Sequence, residues 1–218
     1  MLKHNVMYKG VHLWKPFIFK TKFNFSPYLD KIYENYRDSL NHWATNTDTS
    51  RLEKGDSDTT CRVAYHDYIL QPHEQSCLRD YNLFLGGILS EVWEEYGYLG
   101  SESQVSRSWY NRHGLNGQTM EHAHQATELV VSAYIRNEKG QGFIEFRDPL
   151  EYHKSGFPYD AEANIWKPIE CTTNDVLIFP GWLNHRTQEN TVGGERICMT
   201  YNINARMKMD DVKGKFRL

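Results

Sequence analysis

The sequence lacks any apolar run long enough to cross a membrane as a helix: stretches such as Leu83–Leu89 fall far short of the ~20 residues a span requires. The segment Met1–Phe25 carries basic residues but no uninterrupted apolar core and no small-residue cleavage site, so no secretory signal is read there. Cysteine is sparse. Cys61, Cys77, Cys171 and Cys198 form no CxxC pair, which argues against a disulfide framework or a cysteine-rich zinc site and for scattered reduced thiols. An excess of positive charge is missing too: 25 Lys+Arg stand against 28 Asp+Glu, a formal net charge of -3. No global basic field recruits nucleic acid, and there is no polybasic run or acidic tail. The expectation is a soluble, cytoplasmic protein that does not act on nucleic acid and does not enter a membrane.

A length of 218 residues suits one domain with an elaboration. No repeat or low-complexity tract divides it. The first hundred residues read as mainly helical, and residues 101–206 as mainly β. Ser26-Pro27 predicts a helix start, with Ser26 as N-cap and Pro27 at the first helical position. Leu29, Ile32, Tyr33, Tyr36, Leu40 and Trp43 then recur at helical spacing up to about Ala44. The polar stretch Thr45–Thr60 reads as an exposed loop. A second helix is predicted over His73–Tyr96, with Leu78, Tyr81, Leu85, Leu89, Val92, Trp93 and Tyr96 as its apolar stripe. Gly86-Gly87 either weakens it or admits another backbone at close range, and Gly97 and Gly100 stop it.

From Val105 the period changes. Val105–Asn111, Glu128–Arg136, Gly142–Phe146, Asp175–Phe179 and Arg196–Asn204 read as strands, separated by glycine-, proline- and asparagine-rich turns. The fold class predicted is α+β but mainly β: a jelly roll or barrel buttressed by the two helices.

The chemistry concentrates in Glu121-His122-Ala123-His124. On an extended strand alternate side chains share a face, so His122 and His124 point together while Ala123 faces away. His185 follows the strand-like Val176–Phe179 and the turn Pro180-Gly181. Gly193-Gly194 reads as a hairpin tip that would pair the strand from His185 with the strand from Arg196. Imidazole suits Fe, Zn, Cu and Ni, so the ligands alone do not name the metal. Arg196 adds information, because a buried guanidinium facing a metal is costly unless a ligand carboxylate pairs with it. A dicarboxylate that chelates the metal at one end and meets Arg196 at the other satisfies both. His4, His12, His42, His66, His73, His113 and His153 carry no such context and read as ordinary surface or core histidines. Trp109, Trp166 and Trp182 either line a cleft or pack around the barrel.

These residues resemble the 2-oxoglutarate/Fe(II) oxygenase superfamily, whose signature is HxD/E, a distal His, and an Arg or Lys some ten residues later. More narrowly the chain is similar to a branch common in phages and marine bacteria. The matching elements are Trp109-Tyr110-Asn111, His122-Ala123-His124, Ser132-Ala133-Tyr134, Asp148-Pro149 and His185…Arg196-Ile197-Cys198…Asn202. The resemblance implies a cupin-like double-stranded β-helix, with Fe(II) on His122, His124 and His185. It implies 2-oxoglutarate on the iron and on Arg196, with Asn111 and Tyr134 as supporting contacts. It implies O2 as oxidant, succinate and CO2 as products, and hydroxylation of a small-molecule or peptidyl substrate, in the host cytoplasm if the chain is phage-encoded.

Two departures matter. His124 stands where most of the superfamily has Asp or Glu; if it does not ligate, a water, Glu121, Glu128 or Asp148 would complete the set. Halogenases place a small residue at that position, unlike His124. Cys198 replaces the Ser of the RxS pattern. The rival readings are a three-histidine cupin-type enzyme that does not use 2-oxoglutarate, and a non-catalytic jelly-roll module with a structural metal, for which no fourth ligand is evident.

Overall fold

The computed structural model describes residues 18–43, 52–61, 70–96, 101–151 and 165–207. The expectations for the N-terminal leader, Leu40, Trp43, the helix stop at Gly97 and Gly100, and His4, His12, His42, His66 and His153 lie wholly or partly outside the described residues and side chains.

Among the described residues, eleven strands run β1 (Phe19–Lys22), β2 (Glu53–Lys54), β3 (Ser57–Thr59), β4 (Ser101–His113), β5 (Gln118–Thr119), β6 (Leu129–Arg136), β7 (Ile144–Arg147), β8 (Trp166–Ile169), β9 (Asp175–Pro180), β10 (His185–Thr187) and β11 (Arg196–Met207). They form a six-stranded sheet of order β1-β9-β6-β11-β4-β3, a three-stranded sheet β10-β7-β8 and the pair β2-β5. All pairings are antiparallel. The large and small sheets face each other, giving the double-stranded β-helix, and helices α1 (Leu29–Trp43) and α2 (Arg79–Glu95) cover the outer face of the large one.

Strand β6 explains this layering. It is buried along almost its whole length. Leu129, Val131, Ala133 and Ile135 face the helices, packing with Ile32, Tyr36, Tyr81, Leu85, Leu89 and Trp93. Val130 and Tyr134 face the other way, into a second cluster with Ile144, Phe146, Leu177, Phe179 and Leu183 between the sheets. A strand covered on both faces needs no polar alternation, hence the continuous LVVSAYI run. Each large side chain so buried contributes roughly 1.5–3 kcal/mol.

Several sequence expectations are corrected here. The first hundred residues are not only helical: β1 pairs with β9 at the edge of the large sheet, and the stretch read as a loop holds β2 and β3, paired with β5 and β4. Ser26 does not cap α1. Ser26–Tyr28 is a 3-10 turn whose N-cap is Phe25, and the Phe25 amide donates to Asn174 Oδ1 at 3.0 Å. Helix α2 starts at Arg79 rather than His73, because the chain first makes two 3-10 turns broken at Gln75 in extended conformation. The Gln75 side chain is held there by Tyr110 Oη at 2.7 Å and Asn35 Nδ2 at 2.8 Å. Gly86 and Gly87 admit no close neighbour: a Cβ on either would meet nothing within 4 Å. They sit on the exposed face and weaken the helix.

The expected hairpin between the His185 and Arg196 strands does not form. Strand β10 pairs with β7 in the small sheet, while β11 pairs with β4 and β6 in the large one. Gly193 and Gly194, at φ +74° and +70°, instead turn the chain from one sheet to the other. His185 and Arg196 therefore approach one cavity from opposite walls.

Candidate metal centre

The inner faces of the sheets enclose a cavity of about 460 Å³, lined by the inward residues of β4 (Arg107, Trp109, Asn111, His113) and of β11 (Arg196, Cys198, Thr200, Asn202). Period-2 alternation places each set on one face.

His122, His124 and His185 meet in this cavity, each with a ring nitrogen within 4.8 Å of the others'. His122 and His124 do not lie on a regular strand, in contrast to the expectation. His122 makes an isolated antiparallel bridge with His185, through two backbone hydrogen bonds of 3.0 and 2.9 Å, and the His124 amide donates to the Gly181 carbonyl at 2.8 Å. The extended local backbone still turns both imidazoles inward. Gly181 is required for this docking: a Cβ there would lie 2.1 Å from the Thr127 carbonyl oxygen and 3.2 Å from that of His124.

The outer nitrogen of each ring is already used. Nδ1 of His122 lies 2.8 Å from the Met120 carbonyl, that of His185 2.9 Å from the Leu183 carbonyl, and that of His124 2.6 Å from Asn202 Oδ1. All three partners accept, so each Nδ1 carries the proton and each Nε2 presents its lone pair to the cavity. His124 is further fixed by stacking on Trp109, centroids 5.7 Å apart. Burial pushes all three imidazoles below their ordinary range, His124 to about 4; proximity to one another reinforces this at His124 and His185. At neutral pH they are three uncharged nitrogen donors, the state a metal needs.

Arg196 occupies the far end of the cavity. It is 2% exposed, and its Nε and Nη1 are buried without a hydrogen-bond partner. Among the described residues it makes no ion pair. Its guanidinium carbon lies 5.7 Å from the Tyr134 ring centre. An unpaired buried cation of this kind costs about 3–5 kcal/mol, which an entering carboxylate would offset. Asn111 also lines the cavity, where its Nδ2 donates to Thr200 Oγ1 at 3.2 Å, and Cys198 sits across from it on β11.

The carboxylates considered as substitutes for His124 are engaged elsewhere. Glu121 pairs with Arg147 at 2.7 Å, Glu128 accepts from the Ala205 amide at 3.3 Å, and Asp148 accepts from the Leu150 amide at 2.9 Å. Of the tryptophans, Trp109 lines the cavity, Trp166 lies under Arg186, and Trp182 is 58% exposed.

Residues 107–202 match the family model described as "Putative 2OG-Fe(II) oxygenase". Over this stretch, somewhat less than half of its length, the chain is similar to the 2-oxoglutarate/Fe(II) oxygenases. No curated protein matches it significantly in sequence. Among solved structures, this chain is similar in fold to a prolyl-4-hydroxylase from Pseudomonas putida, with 11% identity, TM-score 0.51 and coverage of 87% of this chain and 93% of that one. The carbocyclase SnoK from nogalamycin biosynthesis gives 9%, 0.56, 91% and 86%. HygX from Streptomyces hygroscopicus, solved with nickel and 2-oxoglutarate bound, gives 12%, 0.52, 86% and 82%. At these identities the likeness concerns the fold.

Sequence reading missed three residues of the cavity. His113, read as ordinary, is 3% exposed, its Nε2 2.9 Å from Thr119 Oγ1 and 3.1 Å from Glu53 Oε2. Burial lowers the His113 pKa, so this contact is a hydrogen bond from a neutral ring to Glu53 rather than an ion pair. Glu53 comes from the stretch read as an exposed loop, and no sequence signal marked it. Arg107 could have been found, since it continues the alternation Arg107, Trp109, Asn111, His113.

Proposed function

We propose that this chain is an oxygenase that binds Fe(II) through His122, His124 and His185 and 2-oxoglutarate through Arg196, and hydroxylates a small-molecule or peptidyl substrate. One observation carries the reading: a buried guanidinium without a partner faces the same cavity as three neutral imidazoles whose free nitrogens converge. The donor set fits a divalent first-row metal, and it leaves positions open for a chelating co-substrate. Iron bound there supplies activation of O2, coupling decarboxylation of 2-oxoglutarate to succinate with oxidation of a substrate C–H bond.

The chain's own part is binding, orientation and exclusion of water. Asn202, Met120 and Leu183 fix the three rings and their tautomers. Arg196 receives the distal carboxylate of 2-oxoglutarate. Tyr134 packs beside that guanidinium, and Asn111 offers an amide on the same wall. The apolar cluster around Phe146, Phe179 and Leu183 keeps water from the back of His185. No helix among the described residues is long and apolar enough to cross a membrane. Four free cysteines support a reducing, cytoplasmic setting.

The test is succinate formation from 2-oxoglutarate in air, together with an anaerobic titration of Fe(II) and 2-oxoglutarate followed by visible absorption. Metal-dependent succinate release and a new weak band are expected. Metal binding without either would favour the three-histidine enzyme that does not use 2-oxoglutarate.

A further inference from the structure

Glu53 is the single carboxylate among the described residues that line the cavity. It arrives there on β2, whose register sets it opposite Thr119 of β5. One residue further on, the Met120 amide donates to the Leu52 carbonyl at 2.7 Å. Met120 is the residue whose own carbonyl holds Nδ1 of His122. The backbone that carries Glu53 is therefore clamped to the backbone that orients a candidate metal ligand. The Glu53 side chain is 6% exposed. It accepts from Thr119 Oγ1 at 2.9 Å and lies 3.1 Å from His113 Nε2.

These partners do not neutralise it. Thr119 offers a hydroxyl, and His113 is an uncharged ring because burial holds its pKa down. Among the described residues no lysine or arginine pairs with Glu53. A buried carboxylate surrounded by neutral donors is costly unless a cation comes near. The neighbouring histidine cluster is where one fits: three neutral imidazoles leave a divalent ion with its full charge. Glu53 is outside that cluster, since among the described residues the group of ligand atoms within 4.8 Å of one another comes from His122, His124 and His185. Its charge still reaches the cluster. Burial pushes the His122 imidazole down, and the Met120 carbonyl and then the Glu53 charge act in the opposite direction.

We propose that Glu53 is the counter-charge of the metal centre: it strengthens the hold of the three histidines on a divalent ion through space, without ligating it. This rests on the assignment of the metal to those histidines. Attraction beyond direct contact survives here because buried groups are screened far less than groups in water. The same negative charge repels the 2-oxoglutarate dianion, so Glu53 acts on the two ligands in opposite senses. That pattern separates an electrostatic role from a structural one, because a scaffold lost with Glu53 would weaken both.

The experiment titrates metal-free protein with Zn(II) against a chromophoric chelator, records the visible bands of the Co(II)-loaded form, and measures 2-oxoglutarate binding to the Zn(II)-loaded form by calorimetry. Glu53→Gln keeps the shape and removes the charge. It should weaken Zn(II) roughly 10- to 100-fold, the scale of an outer-shell partner. Its Co(II) bands should keep their wild-type positions, its affinity for 2-oxoglutarate should hold or rise, and metal-free it should melt no lower than wild type. Glu53→Asp, which keeps the charge, should recover most of the Zn(II) affinity. Glu53→Ala gives a second reading: formate entering the space left should restore Zn(II) affinity, and formamide, similar in shape but neutral, should not. Zn(II) affinity of Glu53→Gln within about twofold of wild type would overturn the proposal. Displaced Co(II) bands would do so as well, by making Glu53 a ligand, and so would joint loss of Zn(II) and 2-oxoglutarate affinity with a lower melting temperature, or equal effects of formate and formamide. Failure of the underlying reading looks different: wild type itself would bind no stoichiometric Zn(II), and the proposal would fall with it.

Discussion

Replacing Arg196 by methionine should separate function from stability in opposite directions. In the protein without co-substrate, Arg196 is a 2% exposed cation with two donor nitrogens lacking any partner. Methionine has comparable length and no charge, so it fills the space without the desolvation cost. Replacing buried charges by apolar residues of similar volume is neutral to stabilising, by up to about 4 kcal/mol. For a chain of this size each kcal/mol raises Tm by about 2–4 °C. The ligand-free variant should therefore melt at the wild-type temperature or several degrees above it. Binding of 2-oxoglutarate should move the other way. Two charge-assisted hydrogen bonds at about 1.5–3 kcal/mol each correspond to a loss of at least 100-fold in affinity. Affinity for the metal alone should not change, because Arg196 touches none of the three histidines. Thermal melts of the metal-free protein and calorimetry of 2-oxoglutarate against the Zn(II)-loaded protein measure both quantities. A variant that melts well below wild type while binding 2-oxoglutarate normally would refute the reasoning, since Arg196 would then be a structural residue.

Three further outcomes are expected. His185→Ala should remove stoichiometric metal, read by elemental analysis, while circular dichroism shows the sheet intact; retention of one metal per chain would contradict the ligand set. Gly181→Ala should cost about 1–3 kcal/mol and weaken metal binding as well, because the added methyl group displaces the backbone that docks His124; denaturant unfolding and metal titration check both effects, and an unchanged metal affinity would remove the docking role. The metal-free protein should lose stability as pH falls from about 6.5 towards 4. Its imidazoles are held neutral when folded but take up protons when unfolded, so the contribution is full above 6.5 and is lost as pH drops towards the folded value. For His124, depressed to about 4, this is worth about 3 kcal/mol. Comparing unfolding curves of wild type and His124→Gln across that range tests it, and identical pH slopes would contradict the shift.

The sequence alone determined what is local in the chain. The long strands Val105–Asn111, Glu128–Arg136 and Arg196–Asn204 were legible because alternation or continuous apolar character reports directly on whether one face or both are buried. The stripe Tyr81, Leu85, Leu89, Val92 and Trp93 reported the buried side of α2 in the same way. The pairing of His122 with His124 was legible because two residues apart in extended chain means the same side, and that holds even without a regular strand. Tertiary structure decided everything that depends on partners distant in the chain. The start of α2 moved to Arg79 because Tyr110 and Asn35 hold Gln75 extended, and intrinsic helix preference could not foresee either. Glu53 reached the cavity because β2 and β3 pair with β5 and β4, which a polar, glycine-containing stretch does not advertise. His185 and Arg196 face each other across the cavity because β10 joins β7 and β11 joins β4 and β6. Strand register is set by side chains packing across sheets, and no run of neighbouring residues carries that information.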